Sequence, residues 1–144
     1  MLTYLAQPVA VLLAWTFVIF FWMYATRIPA MIRAGFDIRT MRGTTGRSLD
    51  EALPAEVQWK AHNYNHLLEQ PVLFYAACLL LMLLGPSAGA VALAWLYVAL
   101  RIAHSLVQVT VNLIRFRFVL FFLASLALLG LVFLTVLQAF QEVP

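Results

Sequence analysis

Three long stretches of this chain contain no Asp, Glu, Lys or Arg: Met1–Thr26, Gln70–Leu100 and Phe118–Gln141. A helix needs about 20 mostly apolar residues to cross the hydrocarbon of a bilayer. The first stretch holds one span, roughly residues 2–27. The second is interrupted by Leu84-Gly85-Pro86-Ser87-Ala88-Gly89, a turn signal, which divides it into spans of roughly 55–84 and 88–112. The third holds a span at roughly 116–140. Composition agrees: 65% of the residues are hydrophobic and 10% are charged, against about 45–50% and 25% in soluble domains. A soluble fold of this length could not hide so much apolar surface. Backbone in lipid must satisfy its own hydrogen bonds, and helices do so. The expected fold is all-α: an integral-membrane four-helix bundle, forming a single transmembrane domain over residues 1–144.

The first span lacks a basic flank before it, and its apolar run exceeds that of a secretory signal, so it reads as a retained helix. The second is the informative one. Pro71–Leu84 is too short to cross alone, so the helix extends backwards through the polar segment Val57–Gln70. Pro54 suits a helix start. Pro71, inside the span, removes a backbone donor and frees a carbonyl one turn earlier, which predicts a kink. Arg27, Arg33, Arg39, Arg42, Arg47 and Lys60 lie between spans one and two, and Arg101, Arg115 and Arg117 at the junction of spans three and four. The positive-inside rule puts both regions in the cytoplasm and both termini outside it. Residues 28–54 then form a cytoplasmic loop whose arginines read as topology anchors.

Two polar stripes interrupt the apolar helices. His62, Asn65, His66 and Glu69 recur at three- and four-residue spacing on the second, and Arg101, His104, Ser105, Gln108 and Asn112 on the third, so each set shares a face. Charged groups at membrane depth are costly and turn towards a bundle interior or a wet cavity. The stripes should face each other, with Glu69 and Arg101 as natural partners. Two readings stay open at this level: a functional cavity, or polar contacts that hold helices together at about 1 kcal/mol each.

Other chemistries find little support. His62-x-x-x-His66 has a metal-binding spacing that Glu69 or His104 could complete, but the pattern is common by chance and no metal is expected. Cys78 is the single cysteine, deep in an apolar run, and reads as packing. No phosphate loop or serine nucleophile motif occurs. The basic residues adjoin membrane spans, so nucleic-acid binding is not expected.

The run Asn63-Tyr64-Asn65-His66-Leu67-Leu68-Glu69-Gln70-Pro71-Val72-Leu73-Phe74-Tyr75 resembles the second-helix signature of the MAPEG family, the membrane-associated proteins in eicosanoid and glutathione metabolism. Arg101-Ile102-Ala103-His104-Ser105, followed by Asn112 and Arg115-Phe116-Arg117, resembles its third-helix and fourth-helix-start signature. Order, spacing and the four-span layout cover essentially the whole chain. Pro71, two positions after Glu69, makes the likeness strongest to the short bacterial branch.

The resemblance implies a homotrimer in a bilayer, here a bacterial inner membrane, with glutathione as co-substrate in a cavity between subunits. It implies a transferase or peroxidase whose acceptor is a lipophilic small molecule. Glu69, Arg101 and His104 match glutathione-binding positions of the active enzymes, and Asn65 lies on the same helix face. His62, His66 and Gln108 stand where those enzymes carry a basic residue, an Asn and a Tyr. Arg117 best matches the arginine that activates the thiol, with Arg115 as second choice. Residues two apart do not share a helical face, so one of the two should face the site. The alternative is a non-catalytic membrane trimer or accessory subunit whose intersubunit cavity binds lipid or a small amphiphile.

Overall fold

Four helical stretches are long and apolar enough to span a membrane: Leu2–Arg33, Ala55–Leu84, Ala88–Val109 and Ile114–Ala139. They are seen in a computed structural model that describes residues 2–37, 39–43 and 45–141. The residues at both chain ends, Met1 and 142–144, for which an extracytoplasmic position is expected, lie outside the described set. So do Ile38 and Thr44 of the expected loop. The described residues are all-helical, without strands, and the protein is an integral membrane protein of the four-span type.

Helix α1 is Leu2–Arg33. It continues past Arg27, where the charge pattern closes the first span, and runs through Pro29 to end just before Gly35, which takes a positive φ of 80°. The connection that follows folds back. A capping box between Thr45 and Ser48 starts a short 3-10 turn, Gly46–Leu49, and Leu49 and Leu53 are buried. Those two apolar anchors tie residues 45–53 to the bundle.

The second span is split. Helix α2, Ala55–Glu69, follows Pro54, and helix α3, Pro71–Leu84, begins one residue after α2 ends. Gln70 keeps helical dihedrals, φ −61° and ψ −38°. Pro71 has no N–H to donate, so the bonding ladder is interrupted there. Ser87 caps α4, Ala88–Val109, by accepting from the Ala90 N–H.

The α4–α5 boundary carries no glycine or proline. It is made by Asn112, which adopts a left-handed φ of 50° and donates its N–H to the Val107 carbonyl at 2.7 Å. Asparagine tolerates that conformation better than other non-glycine residues. Asn112 is therefore a turn residue and not a member of the α4 stripe. Helix α5 is Ile114–Ala139.

Small residues let the helices approach. Ala90 and Ala94 of α4 and Ala124 and Ala127 of α5 are buried, and Gly130 lies against Leu93. Transmembrane helices associate through such close contact because lipid supplies no hydrophobic drive between them. Phe74 stacks on Tyr97 at 4.6 Å, and Cys78 is fully buried in the same cluster. Leucines and phenylalanines cover the outside, as a lipid-facing surface requires.

Candidate functional site

The polar groups of α2 divide into two faces. Asn63, His66 and Gln70 turn inwards to α4 and α5. Asn63 is fully buried, donates to Gln108 Oε1 at 2.8 Å and accepts from Ser105 Oγ at 2.5 Å. Gln70 donates to Ser125 Oγ at 2.8 Å and accepts from the Tyr97 hydroxyl at 3.4 Å. His62, Asn65 and Glu69 are exposed on the other face.

Arg101 is the largest buried side chain, 1% exposed. Its Nη2 donates to His66 Nδ1 at 3.0 Å and to the His66 carbonyl at 2.9 Å. The expected pairing with Glu69 is not made within the chain. Glu69 sits on the exposed face of α2 and Arg101 bonds the inward His66, one residue before the carbonyl that Pro71 leaves without its helical donor.

Around this pair the rings of His66, His104 and Phe121 converge. His66 lies 5.1 Å from His104 and 5.2 Å from Phe121, and the Arg101 guanidinium sits 5.7 Å from the Phe121 ring. His104 Nδ1 bonds the Arg117 carbonyl at 3.0 Å, tying α4 to the first turns of α5. Arg117 itself is partly buried and donates through Nη1 to Asn112 Oδ1 at 2.7 Å. These groups border a cavity of about 230 Å³ lined by His66, His104, Ile114, Arg117, Phe118 and Phe121. Ile114 and Phe118 are 79% and 68% exposed, so the cavity opens to the outside of the chain. Arg115, two residues away, is exposed and outside the lining.

Four buried nitrogens in this region have no hydrogen-bond partner among the described residues: Arg101 Nε and Nη1, His104 Nε2 and Arg117 Nε. Buried polar groups are normally satisfied, and unpaired buried charge is costly. The three guanidinium N–H groups suit an anion, either a carboxylate or a thiolate.

A second cavity, about 430 Å³, lies on the other side of α2, bordered by Arg27, Arg47, Asp50, His62 and Asn65 among others. Asp50 Oδ1 holds its rim, bonding Gln58 Nε2 at 2.9 Å and His62 Nε2 at 3.0 Å. Arg27 reaches the Gly46 carbonyl at 3.3 Å. His62 therefore faces Asp50 while His66 faces Arg101, so the two histidines do not converge.

The profile of the MAPEG family matches residues 5–137. This chain belongs to the MAPEG family. No curated protein and no solved structure gives a significant match. As a MAPEG protein it belongs to a family of membrane proteins associated with glutathione and eicosanoid metabolism. Of the residues singled out from sequence, the structure brings together His66, Arg101, His104 and Arg117. It commits Gln108 to the buried bond with Asn63, and leaves Glu69, Asn65, His62 and Arg115 exposed within one chain. Two contributors escaped the sequence reading. Asn63 shows in sequence only as one more polar residue beside the stripe. Phe121 looks like any lipid-facing aromatic.

Proposed function

We propose that this MAPEG protein is a membrane-bound glutathione-dependent transferase or peroxidase acting on lipophilic electrophiles or hydroperoxides. The observation that carries the reading is the inward aim of Arg117. A cation in the first turns of a helix opposes the helix dipole, and at a membrane boundary an arginine has the option of reaching out to headgroups; Arg115 is exposed. Arg117 instead borders the cavity, held by Asn112 and with Nε unpartnered.

Glutathione supplies a thiol, two carboxylates and an ammonium. Arg117 Nε would hold the sulfur as thiolate, the nucleophilic form. Arg101, buried behind the cavity lining, would add positive charge that favours a carboxylate. His62, Asn65 and Glu69 complete the site from a neighbouring copy in a homotrimer. That assembly also gives the outward carboxylate of Glu69 a protein environment in place of lipid, which the cost of intramembrane charge favours. The acceptor enters from the bilayer across Ile114 and Phe118. The basic connections lie in the cytoplasm, with both termini on the opposite side of a bacterial inner membrane.

A specific observation favours the second reading, a non-catalytic trimer that holds lipid or a small amphiphile. Gln108 is consumed by Asn63, and an apolar groove of about 170 Å³ runs between α1 and the second span, bordered by Leu13, Phe17, Leu68 and Val72. Calorimetry of glutathione binding to the detergent-purified protein, with thiolate absorbance recorded alongside, separates the two. Saturable binding with a thiolate signal that is lost in Arg117→Ala and kept in Arg115→Ala supports the enzyme. No binding at millimolar glutathione sinks it in favour of the lipid-holding trimer.

A further inference from the structure

Hydrogen bonding fixes the tautomers of the two inward histidines, and they differ. At His66 the Arg101 Nη2 donates to Nδ1 at 3.0 Å. An arginine has donors only, so His66 Nδ1 is the acceptor and its proton is on Nε2. At His104 the contact from Nδ1 goes to the Arg117 carbonyl at 3.0 Å. A carbonyl only accepts, so His104 Nδ1 carries the proton. The neutral ring then has a bare lone pair on Nε2. That atom is buried without a partner on a residue 2% exposed that lines the cavity with Arg117. With no anion bound, a protonated ring would instead bury an N–H and a charge with nothing to receive them.

We propose that His104 Nε2 is the proton acceptor for the thiol at this site, with Arg117 holding the charge that the proton leaves behind. The inference rests on the glutathione reading above and adds to it a base. Packing supports the assignment. The Arg117 carbonyl bond fixes the ring orientation, so Nε2 and the Arg117 side chain are referred to the same stretch of backbone, as a base held by a third group should be. The charged and titratable groups around the ring are His66 from α2, Arg101 from its own helix and Arg117 from α5. Among the described residues no carboxylate is hydrogen-bonded to any of them. Nε2 is the acceptor these contacts leave open. His104 Nε2 takes the proton as the S–H bond breaks, and the electron pair stays on sulfur beside Arg117. When sulfur bonds to the electrophilic carbon, the pair displaced onto the acceptor recovers that proton from Nε2, and the ring returns to its starting tautomer.

The deciding measurement is the number of protons released to buffer for each thiolate formed. It is read by calorimetry of glutathione binding in two buffers of different ionisation enthalpy, with thiolate absorbance recorded in parallel on the full-length protein in detergent. A proton kept on His104 gives a ratio near zero in the wild type. His104→Asn keeps a side-chain N–H able to reach the Arg117 carbonyl but has no ring nitrogen at the Nε2 position. It should still bind S-methylglutathione, which has no thiol proton, saturably. It should also lose the thiolate signal or release one proton with it, and conjugate a soluble electrophile about 10²-fold more slowly. A wild-type ratio near one, binding without thiolate, or a variant that still forms thiolate at a ratio near zero overturns the base. Failure of the wild type to bind either compound overturns the glutathione reading along with it.

Discussion

The inner and outer faces of α2 carry similar residues and have opposite fates. On the inner face Asn63, His66 and Gln70 are hydrogen-bonded to α4 and α5. On the outer face His62 meets only the loop carboxylate of Asp50, and Asn65 and Glu69 are exposed. One face is finished by the chain itself, and the other is left for something outside it. Polar residues in a membrane helix thus do two kinds of work, and spacing alone does not say which.

Removing Asn63 should have the largest effect. Asn63→Ala strips the partner from Gln108 and Ser105 and should cost about 2 kcal/mol of stability, read from unfolding in detergent. A loss no larger than that of an outer-face variant would erase the distinction between the faces. A double-mutant cycle of Asn63→Ala with Gln108→Ala sharpens it, with an expected coupling of about 1 kcal/mol. Glu69→Ala should show the reverse pattern: subunit stability unchanged within about 0.5 kcal/mol, and the oligomeric fraction reduced at a given detergent-to-protein ratio, read by light scattering. An unchanged oligomer would break the claim that this face meets a second copy. The smallest effect belongs to Asp50→Asn. It keeps the oxygen that Gln58 uses and removes only the charge facing His62. That exposed pair is worth about 0.5 kcal/mol or less, and a larger loss would mean the loop rim is structural in its own right.

The spans were legible because charge is excluded from lipid-facing helix, so the charge-free runs delimit them. The inward rotation of α2 was not. A three- and four-residue stripe through His62, Asn65, His66 and Glu69 is as regular as one through Asn63, His66 and Gln70, and His66 belongs to both. Only packing against α4 and α5 selects between them, so Arg101 bonds His66 where Glu69 was the expected partner. The α4–α5 turn was hidden for a different reason. Glycine and proline advertise a break, whereas Asn112 reads as an ordinary polar residue until its backbone is seen in the left-handed region. The aim of Arg117 was legible only as a choice between two positions, since a helix start gives each a different direction without saying which is inward.

Asn112 joins two duties in one residue. Its backbone reverses the chain and its side chain holds Arg117. Glycine at this position would preserve the reversal, at no steric cost, while releasing the arginine. A lineage could therefore shed this hold on the guanidinium in a single step and keep a bundle that folds, inserts and packs as before. The opposite path, from an idle bundle to a working one, would need a residue that both bends the backbone and reaches the guanidinium, and asparagine and aspartate are almost alone in offering that. Loss is easy and gain is narrow at this position.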